Sequence, residues 1–147
     1  ALACLGNVWW HYRQMSAQIE TYVSGIDYVA PNKNILPLSV DISGGWKHVP
    51  LSTVWAYYHI KKGGAGPYLF DLPHGQIVNY RRPKRELFPA PSLYPHRVED
   101  YNGEAHSPPY DYVLLWGTDA KIEMEIARDF QPFFRNGQLT IYKKYEH

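Results

Sequence analysis

The sequence predicts a small three-layer α/β domain, and three patterns indicate this class. A short, nearly continuous apolar run at residues 110–117, YDYVLLWG, is typical of a strand that is buried on both faces. Helical patterns lie before and after this run. An Asn-Gly pair close to the end of the chain indicates a β-hairpin. We therefore predict a mainly parallel sheet with an antiparallel C-terminal β-hairpin and an N-terminal amphipathic helix.

Composition limits the classes of protein that need to be considered. The 147 residues fit a single domain, and 45% hydrophobic against 20% charged residues is typical of a globular chain rather than a disordered one. A formal charge of +1 argues against a strong field for nucleic acid, so no nucleic-acid partner is predicted. The single cysteine, Cys4, excludes an internal disulfide and a cysteine-based zinc site.

The first 26 residues predict an amphipathic helix. Its apolar positions recur at alternating steps of four and three, at Val8, Tyr12, Met15, Ile19, Tyr22 and Ile26. The helix should end near Gly25, and residues 31–34 should then form a turn.

The next elements are a strand and a second helix. Residues 35–42 predict a strand in which Leu36, Leu38, Val40 and Ile42 share one face. The second helix follows Pro50 and should stop at the glycine pair Gly63-Gly64.

The middle of the chain has weaker patterns. Residues 68–71 and 76–80 predict short strands on either side of a loop. Residues 82–109 contain several prolines and little periodicity, so we expect an extended segment on the surface, or one that hides a short helix.

The C-terminal third completes the predicted domain. After the apolar strand, Thr118 or Asp119 can cap a helix that places Ile122, Ile126 and Phe130 on one face. Residues 131–135 and 138–145 then form the two strands of the hairpin around Asn136-Gly137.

The N-terminal residues 1–10, ALACLGNVWW, leave two interpretations open. The run is apolar, but it is shorter than the roughly 20 residues that cross a bilayer and lacks the charged start of a signal peptide. It can be the end of a membrane helix, with Trp9, Trp10 and Tyr12 at the level of the lipid headgroups. It can equally be an N-terminal helix buried in a soluble protein.

Glycine-containing loops after two predicted strands form the favoured binding site. Ser43, Gly44 and Gly45 follow one strand, and Gly117, Thr118 and Asp119 follow the other. If these strands are parallel neighbours, the two loops meet where open α/β sheets commonly bind ligands. Glycine backbone N–H groups, helped by Lys47 and His48, could then hold an anion. The plainer interpretation is that the glycines only make turns.

Other polar residues give weaker signals. His74 lies on a predicted turn close to Asp71, but no nucleophile accompanies it. The basic run that begins with Arg81 and Arg82 could contact phosphates, or it could be a solvated loop. The seven histidines show neither HxH nor HExxH spacing, so we predict no metal and no cofactor.

The order of these segments resembles a known family. PNKNILPLSVD, then PLSTVWAYYHIKKGG with PYLF shortly after, then YDYVLLWG, and then a helix and GQLTIYKKY follow one another along the chain. This succession is similar to the extracytoplasmic C-terminal domain of bacterial polytopic membrane glycosyltransferases, the C-type, dolichyl-phosphate-mannose mannosyltransferase-like enzymes, and of related uncharacterised membrane proteins. The resemblance covers most of the chain from about residue 19 onward.

The resemblance implies a non-catalytic role for this chain. In such enzymes the catalytic carboxylates lie in loops between membrane helices, which this chain does not contain, so no catalytic residue is carried over. It implies a soluble accessory domain on the extracytoplasmic, periplasmic face of a bacterial membrane. Residues preceding Ala1 would meet the membrane, and the domain would help to place a lipid-linked sugar, a glycan or an acceptor.

Two further functions stay open from the residues themselves. One is a free-standing soluble α/β protein that binds a small anionic ligand at the strand-end loops. The other is a purely structural role in an assembly, through exposed aromatic side chains. The sequence leaves the oligomeric state undetermined.

Overall fold

The computed structural model describes residues 2–41, 51, 53–67, 87–88 and 97–146, with only the backbone of residues 2–5. The strands predicted at residues 68–71 and 76–80 lie outside these ranges. The helices are α1 (Leu2–Val23), α2 (Ala56–Lys62), α3 (Gly103–His106) and α4 (Ala120–Ile126). The strands are β1 (Ile35–Ser39), β2 (Tyr112–Trp116), β3 (Phe130–Asn136) and β4 (Leu139–Lys144), and short 3₁₀ helices lie at Ile26–Tyr28 and Val98–Asp100.

The four strands form one mixed sheet in the order β1-β2-β4-β3. β1 is parallel to β2, with Ile35 opposite Tyr112, while β2–β4 and β3–β4 are antiparallel. The predicted α/β class is confirmed. We expected a mainly parallel sheet. Among the described strands, β1–β2 is the one parallel pairing, because the C-terminal hairpin occupies the position on the other side of β2.

β2 lies inside the sheet and is covered on both faces, as its apolar run predicted. Each of its five residues is at most 3% exposed. Val113 and Leu115 face a core cluster that includes Ile122 of α4, whereas Leu114 and Trp116 face a second cluster that includes Tyr22 of α1 and Tyr58 of α2. The sheet is therefore the middle layer between α4 on one side and α1 with α2 on the other.

Only the C-terminal part of α1 packs against this core. Tyr22 is completely buried, and Ile19 and Val23 pack beside it. The Tyr58 hydroxyl donates a hydrogen bond of 2.7 Å to the Tyr22 carbonyl oxygen and so ties α2 to the end of α1. Gly25 follows, and a Cβ built there would lie 2.3 Å from Cδ1 of Ile141. α1 ends at Val23, two residues before the glycine at which we expected it to stop.

The segment that was expected to run over the surface contributes to the core. Phe88, Val98 and Tyr101 are at most 8% exposed and belong to the cluster under α4. Phe88 stacks on Tyr110 at 5.3 Å, and the Tyr101 hydroxyl lies 2.8 Å from Oγ of Ser107. These three side chains are buried, and the segment also contains the short helix α3, which was the alternative expectation. They pack as isolated anchors, which leave no periodic signal in the sequence.

The C-terminal hairpin forms as predicted, with its turn shifted by one residue. Asn136 pairs with Leu139, so Gly137 and Gln138 make the connection and Gly137 adopts a φ of +53°. A glycine at the first turn position supplies this left-handed conformation without steric cost. Asn136 is thereby the last residue of β3, and its Nδ2 donates a hydrogen bond of 2.9 Å to Oγ of Ser24.

The glycine pair after α2 forms the predicted stop. The Gly63 N–H donates a hydrogen bond of 2.9 Å to the His59 carbonyl oxygen, and Gly63 and Gly64 have φ values of +71° and +84°. A Cβ built at Gly64 would lie 2.0 Å from the Lys33 carbonyl oxygen. Both the dihedral angle and the close backbone contact therefore require glycine at this position.

Gly64→Ala should lower the free energy of unfolding by about 1–3 kcal/mol, because it forces a left-handed alanine against the Lys33 carbonyl group. Gly6→Ala is the matched control: apart from the backbone of its own helix and its chain neighbours, no described atom lies within 4 Å of its added Cβ, and it should stabilise α1 by about 0.5–1 kcal/mol. Urea unfolding of both variants measures the difference. Equal stability of the two would contradict this assignment.

Candidate functional site

The carboxyl ends of β1 and β2 lie side by side, which was the condition for the predicted site. Ser39 is opposite Trp116, and the Val40 N–H donates a hydrogen bond of 2.9 Å to the Trp116 carbonyl oxygen. The backbone segments that follow β1 and β2 leave the sheet in close contact, since a Cβ built at Gly117 would lie 3.0 Å from that of Val40. Of the loop after β1, the predicted residues Ser43, Gly44, Gly45, Lys47 and His48 lie outside the described residues.

The loop after β2 has a structural role that its residues explain. Gly117 adopts a φ of +91°, and its N–H donates a hydrogen bond of 2.9 Å to the Gln138 carbonyl oxygen. Oδ1 of Asp119 accepts hydrogen bonds from the backbone N–H groups of Lys121 at 2.9 Å and Ile122 at 3.1 Å. Asp119 is thus the N-cap of α4. Its negatively charged carboxylate would repel an anionic ligand at this end of the sheet.

Asp119→Ala should lower the free energy of unfolding by about 1 kcal/mol, because two backbone donors of α4 lose their acceptor. Asp119→Asn should restore most of this loss, since an amide oxygen also caps a helix. Thr118→Ala, at the exposed neighbouring position, is the control and should stay within about 0.5 kcal/mol of the original chain. Thermal unfolding of the three variants tests the assignment, which an unchanged Asp119→Ala variant would overturn.

The other predicted site residues are not brought together in the described structure. His74, Arg81 and Arg82 lie outside it. In the described ranges, no group of three or more His, Cys, Asp or Glu side chains could hold a metal ion.

His59 on α2 is a core histidine. It is 9% exposed, its ring lies 5.7 Å from that of Trp55, and its Nδ1 is 3.4 Å from the Gly63 carbonyl oxygen. Its Nε2 is buried and has no hydrogen-bond partner in the described part of the chain. Burial lowers the pKa of His59, because removal from water disfavours the charged imidazolium.

The stability of the domain should therefore depend on the protonation of His59. Its unfolded pKa is about 6.5, and its folded pKa is lower, so the unfolded chain binds more protons between the two values. The free energy of unfolding should fall as the pH drops below about 6.5. His59→Leu should reduce this dependence when urea unfolding is compared at successive pH values. An identical pH dependence in the variant would contradict the assignment.

A group of exposed apolar side chains lies near the start of α1. We call Trp9, Trp10 and Tyr12, together with the neighbouring aliphatic Val8, the aromatic surface. These four side chains are between 53% and 65% exposed. The Arg13 guanidinium lies 4.8 Å from the centre of the Trp9 ring. A groove of about 690 Å³ runs along this side of the helix. No helix in the described ranges has the length and apolar character needed to span a membrane.

Sequence reasoning identified the aromatic residues but not the position of Arg13 above Trp9. The signal was available, because residues four apart on a helix are neighbours. A second groove, of about 700 Å³ between α4 and the β3–β4 hairpin, was also missed. Met124 and Phe133 line it and are 68% and 48% exposed. It combines residues from a helix and a strand, and such combinations are invisible until the fold is known.

No protein-family model, curated protein or solved structure matches the chain. The functional proposals therefore depend on the residues of the chain and on the resemblance described above.

Proposed function

We propose that this chain is a non-catalytic accessory domain of a membrane glycosyltransferase-like protein, and that the N-terminal half of α1 meets the membrane. The resemblance supports the family. The observation that carries the membrane contact is the aromatic surface, in which four large apolar side chains stay exposed at one end of a helix whose other end is buried. Trp and Tyr are the residues that favour the interface between lipid and water.

The order of residues along α1 supports entry of the helix by its N-terminal end. The sequence is apolar from Leu2 to Leu5, aromatic around Trp9, basic at Arg13 and acidic at Glu20. With a rise of about 1.5 Å per residue, Arg13 lies about 6 Å beyond Trp9 and Glu20 about 10 Å beyond Arg13. In this orientation the aromatic rings reach the headgroup level, Arg13 reaches the phosphates and Glu20 stays in water.

The expected strength of this contact is moderate. Complete burial of a large apolar side chain is worth about 1.5–3 kcal/mol. The four side chains are already roughly half-covered, so their further burial contributes roughly 3–6 kcal/mol in total. This range includes the roughly 5.5 kcal/mol that corresponds to the marginal, reversible binding of a single myristoyl chain. The aromatic surface would therefore position a domain at a membrane without holding it there permanently.

In this position the domain would help to place a lipid-linked sugar or an acceptor at the extracytoplasmic face of the membrane. The proposal assigns no chemical step to this chain, because the resemblance carries over no catalytic carboxylate.

A small-anion-binding protein is the second candidate function. It is favoured by the adjacent carboxyl ends of β1 and β2, where open α/β sheets commonly bind ligands, although the N–H groups of Val40 and Gly117 there already donate to backbone carbonyl oxygens. The capping carboxylate of Asp119 weakens it. Titration with inorganic phosphate, followed by the backbone amide NMR signals of Gly117 and Thr118, tests it. Unchanged signals at saturating phosphate would remove this candidate.

The membrane contact is tested with phosphatidylcholine vesicles and tryptophan fluorescence. The chain should bind the vesicles, and lipids brominated near the headgroups should quench Trp9 and Trp10. The double substitution of Trp9→Gln and Trp10→Gln should weaken binding at least about tenfold, which corresponds to a loss of about 1.4 kcal/mol.

Tyr57→Gln combined with Phe133→Gln is the matched control, because these aromatic side chains are similarly exposed but lie on α2 and β3. The control should bind as well as the original chain. The proposal fails if the original chain does not bind the vesicles, or if both double variants lose the same affinity.

A further inference from the structure

We propose that the groove along α1 binds the headgroup of an anionic phospholipid, with the Arg13 guanidinium holding the phosphate. This inference rests on the membrane contact proposed above and adds a chemical preference to it. The groove of about 690 Å³ is open, because the described residues that line it all belong to α1, so a headgroup there would lie against one face of the helix.

The groove has an apolar part and a polar part, in an order that fits an amphiphile. Val8, Trp9 and Tyr12 line its N-terminal part, and Arg13 and Ser16 line the next turn. Because the apolar side chains come first along α1, the acyl chains of a lipid would extend past them. Its phosphate would then reach Arg13. This is the same direction as the proposed entry of α1 into the membrane.

Arg13 retains its capacity to bind a phosphate. Cζ of its guanidinium lies 4.8 Å from the centre of the Trp9 ring, a cation–π contact that holds the cation beside this ring. Within the described part of the chain, Arg13 forms no ion pair with an acidic side chain. The N–H groups at the edge of the guanidinium can therefore form two parallel hydrogen bonds to phosphate oxygens.

Two neighbouring residues define where the phosphate can lie. Ser16 is three residues after Arg13, on the same side of the helix, and its hydroxyl can donate a further hydrogen bond. Glu20 lines the far end of the groove, about 10 Å from Arg13 along the axis. Its carboxylate repels an anion there, so the phosphate is favoured at Arg13 and disfavoured at the C-terminal end.

The test compares vesicles of phosphatidylcholine alone with vesicles that also contain phosphatidylglycerol. A basic residue at an anionic membrane surface is worth about 1 kcal/mol, so the original chain should bind the mixed vesicles about fivefold more tightly. Arg13→Gln should abolish this preference, because the variant lacks the cation that meets the net negative charge of the phosphatidylglycerol headgroup. Arg13→Lys should keep only part of the preference, since an ammonium lacks the planar fork of the guanidinium.

Arg135→Gln is the matched control, because Arg135 is also exposed but lies on β3. It should keep the full preference. A second readout is the indole N–H signal of Trp9, which should shift with dihexanoyl phosphatidylglycerol and not with dihexanoylglycerol, which lacks the phosphate, or with inorganic phosphate alone.

The possible failures can be told apart. If the original chain binds neither kind of vesicle, the proposed membrane contact is wrong and this inference falls with it. If the chain binds phosphatidylcholine but Arg13→Gln keeps the preference for phosphatidylglycerol, only the phosphate assignment is wrong. The same conclusion follows if Arg135→Gln removes the preference equally, because the effect would then be a general charge effect and not a site on α1.

Discussion

The burial of β2 on both faces is the constraint on which the rest of the described structure depends. Its five residues pair with β1 on one side and β4 on the other, so its backbone polar groups meet hydrogen-bonding strands at both edges. Its apolar side chains point in both directions, and each face needs its own covering layer. α4 covers one face, while α2 and the end of α1 cover the other.

This constraint divides α1 into two parts with different roles. Tyr22 packs on the ring of Trp116 at 5.2 Å and accepts the hydrogen bond from Tyr58, so the C-terminal part is held by the core. Burial raises the pKa of the Tyr22 hydroxyl far above its usual range, which keeps this contact uncharged at all ordinary pH values. The aromatic side chains on the N-terminal part of the helix stay exposed.

Much of the fold could be predicted from the sequence, because local chemistry determines it. The apolar run of β2, the cap at Asp119 and the glycine stop after α2 each have a physical cause within a few residues. Phe88 and Val98 were missed because single anchors carry no period. Val40 was expected to continue β1 on the same face as Leu36 and Leu38, but the strand ends at Ser39 and Val40 is 39% exposed. Within the candidate site, the structure places Gly117 in a turn and Asp119 at a helix cap. The sequence could not separate these roles from ligand binding, because the residue types that make turns and caps are also those that surround ligands.

The separation within α1 makes the proposed membrane contact independent of the stability of the core. Trp9 and Trp10 are more than half exposed, and substitutions at such positions change the free energy of unfolding by only about 0.5 kcal/mol. A variant that loses these side chains should therefore keep its fold, and any loss of lipid binding can be attributed to the surface itself. The opposite holds for Tyr22, whose removal would open the core beside β2. Large aromatic side chains that contribute so little to folding favour the proposed contact with a membrane, and Arg13 follows them along the same helix.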